Sequence, residues 1–115
     1  MSDKKIFDLE ELKQVSNGDD KFVKEMISIF IRTTDEGIND MEKAVKENNM
    51  KAIADMAHKI APPCRHMGAT TLLNYLNSIE NAIRKSENGV DIEDLVMKAR
   101  KEKDILISEL KAEII

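Results

Sequence analysis

Three side chains able to do chemistry lie close together in this chain, His58, Cys64 and His66, with Pro62-Pro63 between them. Imidazole and thiol can act as nucleophile, general base or metal ligand, so the direction of each side chain decides what is open to it. Apolar residues at Met50, Ile53, Ala57, Ile60, Cys64 and Met67 recur every three or four positions and mark the buried face of one helix. At ~100° per residue, His58 points ~140° from the middle of that face, toward solvent. Cys64 belongs to the buried face and His66 projects away from it, so the three do not converge and a metal site is disfavoured. An exposed histidine is commonly just a solvated residue. What singles out His58 is its surroundings: Ala54 one turn before it, Ala61 and Pro62 one turn after, so nothing bulky shields the ring along the helix. Lys51 and Arg65 lie two turns away on the same face and could offer positive charge to an anion.

The elements that position these residues all read as helix. Asp8-Leu9-Glu10-Glu11 has the spacing of a capping box and opens a short helix over about 8–16, with Leu9, Leu12 and Val15 turned inward. Asn17-Gly18 ends it, and Asp19 or Asp20 caps a long helix over 19–47 with the stripe Val23, Ile27, Phe30, Thr34, Ile38, Met41, Val45. Gly37, inside that helix, reads as a close packing contact. Asn48-Asn49 is a tight connection to the His58 helix, over 50–67, which Gly68 stops. A fourth helix over 70–86 carries Leu72, Leu73, Leu76, Ile79 and Ile83. Asp91 caps the last one, over 91–113, which buries Ile92, Leu95, Ala99, Leu106 and Leu110. Met26, Met41, Met50 and Met67, at helical spacing, read as core fillers. The expected fold is all-α: an up-down antiparallel four-helix bundle with a short additional N-terminal helix, one domain over 1–115.

Charge and composition narrow the function classes. Eighteen Lys and Arg against 22 Asp and Glu leave a net charge of -4 with no long block of one sign, which disfavours nucleic acid as a partner. The polar faces mix acids with Lys, unlike a membrane-surface helix, and no apolar stretch approaches the ~18 residues that a span requires. The single cysteine fits a reducing compartment, so a cytoplasmic location is expected for a monomer.

The stretch Ala57-His58-Lys59-Ile60-Ala61-Pro62-Pro63-Cys64-Arg65-His66-Met67-Gly68-Ala69 resembles the phosphoacceptor helix of histidine-containing phosphotransfer domains. That family's pattern is Ala-His-x-Leu-Lys-Gly-small-small-Arg, then an apolar residue and Gly-Ala. His58 takes the phosphoacceptor place and Ile60 the apolar one, Cys64 takes a small place, and Arg65, Met67, Gly68 and Ala69 fall in register. Ala61 stands where the family has Lys, and Pro62 where it has Gly. The likeness runs from Phe7 to Ile114.

The resemblance implies a phosphorelay intermediary, a carrier and not an enzyme. His58 would accept a phosphoryl group from a receiver-domain aspartate and pass it to another receiver of a two-component system. The partners implied are response-regulator receivers, including one in the same parent chain if this is a domain of a hybrid sensor histidine kinase, tethered with it to a membrane. The short leader before the first helix favours that context. No cofactor of its own is implied, because Mg²⁺ belongs to the partner receiver. The docking face would hold Lys51, Ala54, Asp55, His58, Ala61, Pro62 and Arg65. The rival is a helical interaction module that docks on receivers without accepting phosphate.

The prolines bear on this helix directly. Pro62 and Pro63 lack the N–H groups that would bond the carbonyls of His58 and Lys59, and each disfavours helical dihedrals in the residue before it. Local propensity alone says stop near Ile60. Yet the spacing of Ala57, Ile60, Cys64 and Met67 holds across them, which predicts a helix that kinks and continues. Arg65 is then the cation expected to take over from the missing lysine, with Lys59, ~100° off His58, the weaker candidate.

Overall fold

Three of the four long helices start at a side chain that accepts one of the N–H groups left over in a first turn, and the one that follows Ala69 has no side-chain cap. The computed structural model describes residues 6–114. Among them the regular elements are α1 (Glu10–Val15), α2 (Asp20–Lys46), α3 (Met50–His66), α4 (Thr70–Arg84) and α5 (Ile92–Glu113). Asp19 Oδ1 accepts from the Phe22 N–H at 3.2 Å, Asn49 Oδ1 from Ala52 at 3.1 Å and Asp91 Oδ1 from Asp94 at 3.0 Å. α1 departs from the expected capping box: Asp8 Oδ1 accepts from Glu10, only two residues on, at 2.9 Å. That contact starts the helix later than the spacing suggested, and Glu11 is used elsewhere.

The chain runs up and down, α2 packing on α3, α3 on α4, α4 on α5 and α5 back on α2, with α1 laid against α2. The result is an all-α four-helix bundle with a short N-terminal helix. Ile27, Ile38, Met41, Ile53, Leu72, Leu76, Ile79, Leu106 and Leu110 are fully buried between the four long helices. The stripes hold in the middle of the bundle and fail at its ends. Val15 is 71% exposed and Met50 47% exposed, because one ends a helix of fewer than two turns and the other begins α3 at the rim. Met26 is only half-buried, and Ala44 and Val96 are more deeply buried than Val45 and Leu95 beside them.

Lys103 is a polar member of this core that periodicity did not suggest. Its ammonium bonds the half-exposed Asp35 on α2 at 2.8 Å and Asp104 at 2.7 Å, tying α5 to α2 where its buried stem reaches the surface. Burial works against its charge, but the two carboxylates outweigh it and the pKa is raised.

α3 continues through both prolines to His66, and Cys64 stays on the core side with no exposed surface. Packing overrides propensity here: Ile60, Cys64 and Met67 can all be buried only if the helical phase is kept. Two glycines let the neighbouring segments come close. A Cβ on Gly37 of α2 would stand 2.6 Å from Ile60 Cδ1, so α2 and α3 touch here with nothing between them. Gly68, at φ +64, ends α3 and faces Asp8, whose N–H bonds the Met67 carbonyl at 2.9 Å.

Gly68→Ala should lower stability by about 3 kcal/mol, from the left-handed backbone penalty plus a Cβ forced against Asp8 backbone atoms. Urea unfolding with an unchanged m-value checks it. Burial pushes the Cys64 thiol up to about 12. Native protein at pH 8 should therefore resist iodoacetamide until denaturant unfolds it; fast labelling of the native state would mean that α3 breaks at Pro62.

Candidate functional site

Small side chains on one flank of α3 govern the site. Ala57 is fully buried, Ala54 has no exposed surface and Ala61 is 6% exposed. Both Ala54 and Ala61 were expected on the docking face, and neither is there. Seen down the helix they lie ~40–60° from His58 on the side away from Asp55, the flank that meets α4. Methyl groups at these positions let α4 approach closely; they are small to admit a helix of the same chain and not a partner.

That approach brings α4 side chains to His58. The imidazole remains open to solvent, with 71% of its side chain exposed, while its Nδ1 lies 3.0 and 3.3 Å from the two carboxylate oxygens of Glu80. Glu80 follows the buried Ile79 and is itself mostly covered, with 17% of its side chain exposed. Arg84, one turn on, donates from Nε to Glu80 Oε2 at 2.9 Å and from Nη2 to Asp55 Oδ1 at 3.1 Å. Lys51 completes the series by donating to Asp55 Oδ2 at 2.9 Å. A continuous line of alternating charge thus runs Lys51, Asp55, Arg84, Glu80 and ends on the ring of His58.

The electrostatics fix the state of that line. The Arg84 guanidinium, helped by His58, holds the Glu80 carboxyl below its usual range against the opposing effect of burial. Lys51, then Arg84, does the same for Asp55, and the two carboxylates raise Arg84. Both acids are ionised at neutral pH, and these ties are lost only as acid takes the pH down through their lowered values. An ionised carboxylate only accepts hydrogen bonds, so Glu80 favours a proton on Nδ1 of His58, which in the neutral ring leaves the lone pair on Nε2.

Sequence reasoning placed His58, Asp55, Lys51 and Pro62 on the exposed face, where they are found. It missed Glu80 and Arg84. Their one signal was an acid followed four residues later by a base on a helix antiparallel to α3, a pattern common on solvated faces. Arg65 is exposed on the His58 side two turns along, and its guanidinium has no partner among the described residues. Lys59 points elsewhere, into an apolar groove of about 720 Å³ between α1, α2 and α3, lined by Phe22, Ile29, Met56 and Ile60 among others. His66 is exposed at the end of α3 and its Nδ1 lies 2.8 Å from Glu11 of α1. Among the described residues no cluster of His, Cys, Asp or Glu could hold a metal, and no helix is long and apolar enough to cross a membrane.

Comparison with known proteins identifies the fold and the family. No curated protein sequence matches the chain. The fold is that of histidine-containing phosphotransfer protein B (HptB) from Pseudomonas aeruginosa PAO1, with a TM-score of 0.85 at 19% identity, covering 96% of each chain. It is also that of the HPT domain of an Hpt sensor hybrid histidine kinase from Shewanella, with a TM-score of 0.76 at 17% identity over 93% of this chain and 92% of that one. The sequence model of the Hpt domain matches residues 25–114, which include the whole of α3, α4 and α5. Hpt domains are phosphorelay intermediaries between sensor kinases and receiver domains, carriers of the phosphoryl group without catalysis of their own. With that match over most of its length, the chain belongs to the Hpt domain family and is a phosphorelay intermediary.

Proposed function

We propose that His58 is the phosphoacceptor of this Hpt domain and that the nucleophilic atom is Nε2. The observation that carries the reading is the contact of Nδ1 with Glu80, which favours the proton on Nδ1 and so, in the neutral ring, leaves the lone pair on Nε2 of a ring open to solvent. The Nε2 lone pair attacks phosphorus of a receiver aspartyl phosphate, the P–O bond to the aspartate breaks, and the carboxylate leaves with that electron pair. No proton need move: Nδ1 keeps its hydrogen on Glu80, whose negative charge offsets the positive ring. In the return direction a ring protonated at Nδ1 is the better leaving group, so one contact serves both acceptance and release. Mg²⁺ and most of the charge stabilisation belong to the receiver.

Orientation by a carboxylate does not by itself select His58, because Glu11 holds His66 in the same way. Two features favour His58. It occupies the family's acceptor register, and it sits in the middle of α3, whereas His66 is in the last turn, where unpaired carbonyls oppose a phosphoryl dianion.

The receiver-docking face proposed is the exposed set Lys51, Asp55, His58, Pro62 and Arg65 with the outer side of α4, Ala54 and Ala61 lying beneath it. Arg84, already bonded beside the ring, is the nearest cation to supply what the family's lysine would, with Arg65 a more distant support. A covalent context within a hybrid sensor kinase and a cytoplasmic setting are consistent with this role.

Incubation with phosphoramidate, which transfers its phosphoryl group to imidazole with loss of ammonia, tests the acceptor. Intact-mass analysis should show one added phosphate on the parent and on His66→Gln, and none on His58→Gln, whose unfolding free energy in urea should stay within about 0.5 kcal/mol of the parent. Label on His58→Gln, or a parent that never gains phosphate, would overturn the assignment; the latter would favour a docking module that does not accept phosphate.

A further inference from the structure

The line of charges does more than orient the ring. At rest Lys51, Asp55, Arg84 and Glu80 balance one another, two positive against two negative. Phosphorylation adds a dianion at the solvent end of that line with no cation assigned to it. Arg84 Nε and His58 Nδ1 both bond Oε2 of Glu80, at 2.9 and 3.0 Å, so guanidinium and ring stand within about 6 Å of each other by geometry. No other Arg or Lys is bonded this near the ring among the described residues.

Two of the five guanidinium N–H groups of Arg84 are committed to carboxylates, and swinging the fork toward the phosphoryl group would draw it off one of them. Glu80 is the costlier one to release, being mostly covered and still needed by Nδ1–H. Asp55 is the cheaper, since it is half-exposed and has Lys51 as a second partner at 2.9 Å. Asp55 also lies three residues before His58, so its charge repels the incoming group while it holds the cation that would attract it.

We propose that Asp55 is a positioning residue acting through Arg84: it holds the guanidinium at rest and exchanges it for the phosphoryl group when His58 is phosphorylated, passing to Lys51 alone. The competition keeps the phosphoryl group loosely held, which suits a carrier that must also donate. This inference rests on His58 being the acceptor.

The test uses the whole chain charged with phosphoramidate, and follows loss of the added phosphate by intact mass at pH 8 after the donor is removed. Asp55→Asn should lengthen the half-life by about two- to fivefold, the range open to an exposed ion pair, and Arg84→Gln should shorten it. In the Arg84→Gln background, Asp55→Asn should have much less effect, because its influence passes through the arginine. A parent half-life unchanged by Asp55→Asn, or the same lengthening with and without Arg84, would overturn the exchange while leaving the acceptor assignment intact. Failure of the parent to gain phosphate would instead overturn the assignment of His58 and this inference with it.

Discussion

The close packing of α3 on α4 is the constraint on which the site depends. Ala54, Ala57 and Ala61 present only methyl groups along the shared flank, and all three are buried. Larger side chains there would push α4 outward and carry Glu80 beyond hydrogen-bonding distance of His58, now 3.0 Å. The reactive face is thus set from below: the core decides where the carboxylate stands, and the carboxylate decides which ring nitrogen is left to react. Breaks in α3 would undo both, which is why the passage of the helix through Pro62 and Pro63 matters beyond its own turn. The two lost hydrogen bonds are offset by Ile60, Cys64 and Met67 keeping their places in the core.

The departures from the family pattern acquire a physical meaning in this arrangement. Ala61, which stands where the family has lysine, is buried and offers only a methyl group. The positive charge beside the ring comes from α4 instead, through Arg84, held in a carboxylate pair whose members come from both helices. Pro62 is exposed next to His58 and leaves the carbonyl of His58 without its usual helical partner. Arg65 lies two turns away, without a partner among the described residues, and not beside the ring.

Much of the fold was legible in the sequence, because its signals are local. Asp19, Asn49 and Asp91 cap the helices they precede, and the stripes of α2 to α4 predict their buried faces. Val15 and Met50 escaped because periodicity records phase but not where a bundle ends. In the site, His58 was legible from its phase, whereas Ala54 and Ala61 were misread: a small side chain beside a reactive one admits either a partner or a neighbouring helix, and a helical wheel does not say which. Glu80 and Arg84 were missed for the complementary reason. Their role arises from the rotation of α4 about its axis relative to α3, which no single helix encodes, and an acid with a base four residues later is indistinguishable from an ordinary surface pair. Lys103 escaped likewise, since its two carboxylates come together only when α5 closes on α2.

The nitrogen of His58 that carries the proton decides which one can react, and ¹⁵N NMR of the histidine-labelled chain reads it directly. At pH 8, with the His66 signals assigned by the His66→Gln variant, His58 should show a protonated Nδ1 and a bare Nε2, and Glu80→Ala should return the ring to the tautomer mixture of a free imidazole. A wild-type ring protonated at Nε2, or one already in the free mixture and indifferent to Glu80→Ala, would contradict the claim that the packing of α4 prepares the acceptor.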